Sequence, residues 1–196
     1  MKLTDFNIIG QGGHANVYAH KGDDNHDRVI RVALSNDPHS IFVDAAMRSR
    51  NPYLPKFFSK TATTHEHHVT MERLYPFADY RIATHEIIQS QLRRWFIASV
   101  ARELLDEINL DISEYGEENA DKMAGAQVAR VFGDVMDGTL PLSVIADEQL
   151  QAAIVLVQKV LRDNPNLAHD MYWFNMMWRM TGSMPHLVIT DPVTKT

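Results

Sequence analysis

The sequence contains no cysteine, which excludes disulfide bonds, thiolate metal sites and cysteine nucleophiles and suits a reducing compartment. It has no basic run and a formal net charge of −6, so a broad phosphate-backbone binder is not expected. The longest purely apolar run, Ala152–Val157, is far shorter than the roughly 20 residues of a membrane-spanning helix. The first residues lack the apolar stretch of a signal peptide. We therefore expect a soluble, cytoplasmic protein that binds neither membranes nor nucleic acids directly.

The first part of the chain, residues 1–80, is predicted to be a β-rich N-terminal lobe. The 196 residues are enough for one domain or two small lobes, and 45% of them are apolar, as in an average globular protein. Apolar and alternating runs predict strands at Val29–Leu34 and Val69–Leu74. Between them, Ser40–Arg50 is predicted to form a short helix, which ends before Pro52.

The second part, residues 81–196, is predicted to be a mostly helical C-terminal lobe. The spacing of apolar residues predicts three helices, at residues 84–109, 119–136 and 143–163. Ser143 is the predicted N-cap of the third helix, and residues 111–118 read as a polar connector. A hairpin is predicted within residues 165–193, with its turn at 181–183. Strands followed by helices and a hairpin indicate the α+β class.

A glycine-rich segment lies near the start of the chain. Gly10, Gly12, Ala15 and Val17 follow the pattern G-x-G-x-x-A-x-V. Glycines allow the backbone to approach a polyphosphate closely and to present its N–H groups to the charge. An ordinary tight turn is the alternative explanation. Because Asn16–Ala19 reads as a further strand, a Rossmann fingerprint, which requires a helix there, fits poorly.

Several polar residues elsewhere are candidates for chemistry. Arg31 is a lone charge in an apolar strand, where it must be paired or solvated; the alternative is the solvent face of an edge strand. Asp170, Asn175 and Asp191 flank the predicted hairpin. Carboxylate and amide oxygens are the ligands that Mg²⁺ prefers, although either aspartate could instead cap a turn.

Together these segments resemble those of protein kinases and occur in the same order. The Gly-rich loop corresponds to Gly10, Gly12 and Val17. The strand around Arg31 corresponds to the kinase V-A-I-K segment, and Met71–Leu74 resembles the strand that enters the hinge. Asp170 and Asn175 keep the D-x-x-x-x-N spacing of the catalytic loop, and Asp191 stands where the aspartate of D-F-G would be.

The nearest resemblance is to the small early-expressed serine/threonine kinases of short-tailed bacteriophages. Their catalytic segment reads Asp-Met-x-x-x-Asn-x-Met and is followed by Ile-Thr-Asp-Pro-Val. The same letters stand here at Asp170-Met171, Asn175, Met177 and Ile189–Val193. This resemblance implies a truncated, protein-kinase-like α+β fold that uses ATP and Mg²⁺. It also implies transfer of the γ-phosphate to serine or threonine of a host bacterial protein in the host cytoplasm.

The resemblance implies roles for individual residues by position. Gly10, Gly12 and Val17 would cover the phosphates of ATP, and backbone groups near Glu72 and Leu74 would receive adenine. Asp170 would orient the accepting hydroxyl. Arg31 would take the place of the family lysine, and Asn175 and Asp191 would hold Mg²⁺.

A second hypothesis remains open, because the sequence departs from the kinase pattern. Arg31 replaces the lysine, and Asp44 is the only acid in the predicted helix 40–50 that could pair with it. The bulky residues Tyr172-Trp173-Phe174 could crowd the metal site, and the chain ends at Thr196, soon after Asp191. The alternative is therefore a catalytically impaired pseudokinase that binds and inhibits a host defence or transcription protein.

Overall fold

The computed structural model describes residues 5–21, 27–77, 82–115, 117–182 and 184–196. Strands and helices are both abundant, which confirms the α+β class. The chain divides into two compact units, of which the first comprises Met1–Arg50 and Pro55–Arg73 and the second Asn51–Leu54 and Leu74–Thr196. The predicted boundary between residues 80 and 81 lies outside the described residues.

The first unit is built on one antiparallel sheet with the strand order β1-β2-β3-β5-β4. The middle strand, β3, carries the apolar run predicted to be a strand and buries Val29, Val32 and Ala33. The strand predicted at Val69–Leu74 begins earlier and ends at Glu72. The five strands are β1 Phe6–Gln11, β2 Ala15–His20, β3 Arg28–Leu34, β4 Phe57–Ala62 and β5 Glu66–Glu72.

Among the residues described in the first unit, one helix forms, α1 (His39–Ala46), which lies between β3 and β4 in the chain. It ends before the predicted limit at Arg50. Phe42 of α1 is fully buried, and its ring packs edge-on against Phe57 of β4 at 6.4 Å between centroids. The apolar side of the helix therefore covers the sheet.

Four α-helices lie in the described part of the second unit. They are α2 (His85–Trp95), α3 (Ala98–Tyr115), α4 (Glu117–Met136) and α5 (Glu148–Asp163). The single helix predicted over residues 84–109 is wrong, because the backbone of Phe96 is extended and forms a β-bridge with Ile145. The predicted connector at 111–118 is also wrong over most of its length, since α3 continues to Tyr115.

The start of α5 differs from the prediction as well. Leu142–Val144 forms a 3₁₀ turn, so Ser143 is not an N-cap. The cap is Asp147, whose Oδ1 accepts the N–H groups of Gln149 (2.9 Å) and Leu150 (3.1 Å).

Short strands complete the second unit and form two small sheets, β6-β8-β9 and β10-β7. The predicted hairpin is confirmed as β8 and β9, while its turn residue Ser183 lies outside the described residues. The buried Trp178 of β8 stacks on Phe77 at 4.7 Å and donates its indole N–H to the Phe77 carbonyl at 2.9 Å. The strands are β6 Tyr75–Pro76, β7 Leu167–His169, β8 Met176–Thr181, β9 Met184–Ile189 and β10 Val193–Lys195.

Across the described parts of both units, no helix combines the length and apolar character needed to cross a membrane.

Candidate functional site

Strand pairing in the second unit brings Asp170, Asn175 and Asp191 together. β7 pairs with β10, and beyond this pairing the Asp170 N–H donates to the Pro192 carbonyl at 2.8 Å. β8 pairs with β9, and just beyond it the Thr190 N–H donates to the Asn175 carbonyl at 2.8 Å. These two ladders draw residues 170, 175 and 190–192 into one small cluster, which we call the acidic cluster.

Asn175 fixes the geometry of the acidic cluster. Its buried side chain donates from Nδ2 to both the carbonyl oxygen (2.8 Å) and the carboxylate Oδ2 (2.9 Å) of Asp170. The Thr190 hydroxyl donates to the Asn175 carbonyl at 2.8 Å. Since Nδ2 faces Asp170, the amide Oδ1 is the side-chain atom of Asn175 that can act as a metal ligand.

The electrostatics of the acidic cluster raise the pKa of Asp170. Partial burial is the main cause, because it disfavours the charged carboxylate, and the nearby negative charge of Asp191 adds to it. The hydrogen bond from Asn175 and the neighbouring His169 oppose this increase. A carboxylate with a raised pKa is a stronger base, which suits a group that accepts a proton from a hydroxyl.

The donor set of the acidic cluster fits Mg²⁺. It offers the two carboxylates of Asp170 and Asp191 and the amide oxygen of Asn175, which are all hard oxygen ligands. Among the described residues, no group of three or more His, Cys, Asp or Glu is arranged to hold a metal ion. Mg²⁺ usually takes only one or two carboxylates and completes its shell with water and phosphate oxygens, so this small set is sufficient.

The three rings that were expected to crowd the metal site leave the hydrogen bonds within the acidic cluster intact. Tyr172 and Phe174 expose more than half of their surface and stack on each other. Trp173 is half-buried and lies against α4, where its Cβ is 3.1 Å from the place that a Cβ on Gly125 would take. Asn175 keeps both hydrogen bonds to Asp170 despite these neighbours.

The glycine-rich segment of the first unit is the turn between β1 and β2. The Gly12 N–H donates to the Ala15 carbonyl at 2.8 Å, while the half-buried Val17 lies 3.5 Å from the position of a Cβ on Gly10. A Cβ on Gly12 would meet nothing closer than 3.7 Å, and one on Gly13 nothing within 4 Å. Neither glycine has a positive φ. The fold of the turn therefore does not itself require glycine at either position, whereas close approach of a ligand to Gly12 would.

Arg31 is buried in β3 and forms an ion pair with the buried Asp37. The same aspartate accepts the His39 N–H through Oδ1 at 3.3 Å and so also holds the start of α1. Asp44, the only acid of the predicted helix that was available to pair with Arg31, instead pairs with Lys60 at 2.7 Å. The solvent-face alternative for Arg31 is wrong because the side chain is buried. Asp37 lies outside the helix predicted at Ser40–Arg50 and was therefore not predicted as the partner of Arg31, although an acid beside Pro38 is a signal for a helix start.

Glu72 and Leu74, near which adenine was predicted to bind, lie at the end of the first unit and the start of the second. Glu72 is buried, its Oε1 accepts the Lys56 N–H at 2.7 Å, and its own N–H donates to the Lys56 carbonyl at 2.9 Å. Glu72 thus connects the end of β5 to the start of β4. Leu74 is half-buried and is the first residue of the longer segment of the second unit.

Chemically, the acidic cluster offers a base and hard metal ligands, and the first unit offers an open glycine turn and a buried cation. No protein-family model matches the sequence, and comparison with curated proteins finds no significant match.

Proposed function

We propose that the protein is a phage-type serine/threonine protein kinase, which transfers the γ-phosphate of ATP to a host protein in the host cytoplasm during host takeover. One observation carries this proposal: two separate strand pairs bring together Asp170, Asn175 and Asp191, and the Asn175 side chain donates hydrogen bonds directly to Asp170. Two turn-capping aspartates would not need a buried asparagine that bridges to one of them. The order of these residues is the one on which the kinase resemblance rests.

In this proposal each residue of the acidic cluster has a distinct role. Asp170 accepts a hydrogen bond from the serine or threonine hydroxyl. It takes the hydroxyl proton as the bond from that oxygen to the γ-phosphorus forms and the bond between the γ-phosphorus and the bridging oxygen of the leaving ADP breaks. Asn175 orients the Asp170 carboxylate and, with Asp191, would hold Mg²⁺. Mg²⁺, when bound, neutralises negative charge on the phosphates.

The first unit contributes the nucleotide-binding residues of the proposal. Gly10, Gly12 and Val17 would cover the phosphates, and at Gly12 an added Cβ would meet no protein atom closer than 3.7 Å, which leaves room for a ligand to approach the backbone. Arg31 supplies positive charge in place of lysine. Adenine is bound by backbone groups near Glu72 and Leu74 other than the Glu72 N–H, which is already hydrogen-bonded.

A binding-only pseudokinase that inhibits a host defence or transcription protein is the second candidate. The observation that favours it is the buried ion pair of Arg31 with Asp37. A guanidinium held by a buried carboxylate has part of its hydrogen-bonding capacity committed before any phosphate binds. In this case the kinase-like residues would remain as a scaffold, and Asp170 and Asp191 would not be needed for the biological effect.

The test is transfer of label from γ-labelled ATP with Mg²⁺ into a bacterial lysate and into purified candidate proteins. We expect label with the wild type and loss of it with Asp191→Asn. The matched control is Asp163→Asn, because Asp163 is an exposed aspartate at the end of α5, and it should keep full activity. Equal labelling by Asp191→Asn would overturn the role of Asp191. If neither the wild type nor any variant transfers label, but the purified protein still binds a host protein from the lysate, the result would favour the pseudokinase.

A further inference from the structure

Two large aromatic rings stand in solvent beside the acidic cluster. Tyr172 and Phe174 are 58% and 54% exposed, and their rings stack with centroids 5.4 Å apart and an interplanar angle of 3°. Aromatic side chains normally contribute most when they are buried, so a parallel exposed pair calls for a partner from outside. We call Tyr172 and Phe174 the aromatic platform.

The aromatic platform is held firmly in relation to Asp170. The Tyr172 N–H donates to the Asp170 carbonyl at 2.9 Å, and the Asn175 N–H donates to the Tyr172 carbonyl at 2.9 Å. Trp173, which lies between the two residues in the sequence, contacts the Phe174 ring edge-on at 6.0 Å and anchors the turn on α4 near Gly125. The platform therefore lies in the short turn that connects the proposed base to the proposed metal ligand.

The acidic cluster beside the aromatic platform carries two carboxylates, and a third lies close to it. Asp170 and Asp191 lie close enough for the charge of one to act on the other. The side chain of Asp137 is 64% exposed and contacts His169, the residue next to Asp170, at 3.1 Å. Aromatic faces attract cations, and the planar guanidinium of arginine both stacks on a ring and pairs with carboxylates. A positively charged, planar side chain is thus the ligand that complements these residues.

We propose that the aromatic platform binds an arginine side chain of the acceptor protein near its phosphorylated serine or threonine. This inference rests on the proposed function and names a feature of its substrate. Tyr172 and Phe174 would act as specificity-determining residues: they would stack on the guanidinium while Asp170 receives the hydroxyl. Neither ring would take part in proton transfer.

The experiment uses short blocked peptides with one serine and one arginine, in which the arginine is placed at successive positions on either side of the serine. Matched peptides carry leucine or lysine instead. For the best arginine peptide, we expect Tyr172→Ala/Phe174→Ala to raise KM by about three- to thirty-fold. We expect its kcat and its KM for ATP to stay close to those of the wild type, because the platform touches neither the reacting atoms nor the nucleotide.

Three further variants separate stacking from a merely structural role. Tyr172→Phe should keep the wild-type KM, since it retains the ring, whereas Phe174→Leu should raise KM, since it retains only an apolar side chain. Leu110→Ala, at an exposed apolar residue on α3, is the control for general surface effects. These single changes also serve if the double variant fails to fold. Equal KM values for the arginine and leucine peptides, or an unchanged KM in Phe174→Leu, would overturn the inference.

A binding assay without ATP, in which the same peptides carry a fluorescent label, keeps this test independent of phosphate transfer. A wild type that binds the arginine peptide through the aromatic platform but transfers no phosphate would support the platform and contradict the kinase proposal. A wild type that transfers phosphate with no preference for arginine would support the kinase proposal and contradict the role of the aromatic platform.

Discussion

At the scale of single residues, the surroundings of Asp170 in the acidic cluster cost stability. Burial and the charge of Asp191 raise the pKa of Asp170, so the ionised carboxylate is less stable in the folded chain than in the unfolded chain near neutral pH. Asp170→Asn removes that charge and can still accept the hydrogen bond from Asn175. We therefore expect the variant to lose transfer by about 10²–10⁴-fold and to melt at a higher temperature than the wild type.

The pH dependence of this difference follows from linkage. A carboxyl with a raised folded pKa binds more protons in the folded state, so its penalty is present above the folded pKa and disappears below the unfolded pKa of about 3.9. Without ATP or Mg²⁺, Asp170→Asn should have a higher melting temperature than the wild type at about pH 7. The two melting temperatures should be nearly equal below about pH 4. A variant less stable than the wild type at neutral pH would contradict the assigned electrostatics.

Residue patterns predicted part of this site and missed another part. The spacing of Asp170 and Asn175 and the position of Asp191 were visible in the sequence, and strand pairing brings all three together. The ion pair of Arg31 with Asp37 was not visible. It depends on where β3 ends and α1 begins, and this boundary is set by packing of the helix on the sheet rather than by periodicity.

At the scale of elements, α5 is held at its start by one aspartate with several partners. Asp147 caps the helix and also accepts the Tyr53 hydroxyl at 2.7 Å and the Arg94 Nε–H at 3.3 Å. Burial alone would raise the pKa of Asp147. The bonds from Tyr53, the two backbone N–H groups and Arg94 outweigh burial and lower it. The segment Asn51–Leu54 is thereby fastened to the helical part of the second unit.

Two variants of Asp147 separate its cap from its charge. Asp147→Ala removes both and should lower the free energy of unfolding by about 1–2 kcal/mol or more. Asp147→Asn keeps a good cap and should cost less at about pH 7. Since the folded pKa is lowered, the contribution of the charge is present above the unfolded pKa of about 3.9 and is lost as pH falls through the folded pKa.

Chemical denaturation across this range checks the prediction. The stability difference between the wild type and Asp147→Asn should shrink on acidification, while Asp163→Asn, at an exposed residue, should show little difference at any pH. A difference that stays constant with pH would show that the charge of Asp147 does not contribute.

The element predictions failed where tertiary contacts override the helical pattern. Trp95 and Phe96 are apolar and fully buried, so the periodic pattern continues through the point where α2 ends. The break is caused by pairing with the 3₁₀ segment: Phe96 bridges to Ile145, and the Ile97 N–H donates to the Val144 carbonyl at 2.9 Å. These partners are distant in sequence, so no local window could reveal them.

At the scale of the whole molecule, the kinase and pseudokinase proposals differ in how nucleotide affects each variant. A ligand that binds only the folded chain stabilises it, by about 2.7 kcal/mol at a concentration of about 100 times Kd. For a chain of this length that corresponds to an increase of about 5–10 °C in the melting temperature. We therefore expect Mg·ATP to raise the melting temperature of the wild type by this amount.

The variants then locate the source of that increase. Gly12→Ala should melt at the wild-type temperature without nucleotide, because its Cβ meets no atom closer than 3.7 Å, but should lose most of the increase with Mg·ATP. Gly13→Ala, where a Cβ would meet no atom within 4 Å, is the matched control and should keep the increase. Asp191→Asn should lose the part that depends on Mg²⁺. An equal increase in melting temperature in the wild type and all three variants would contradict nucleotide binding through these residues. An increase without phosphate transfer would indicate a nucleotide-binding scaffold rather than an enzyme.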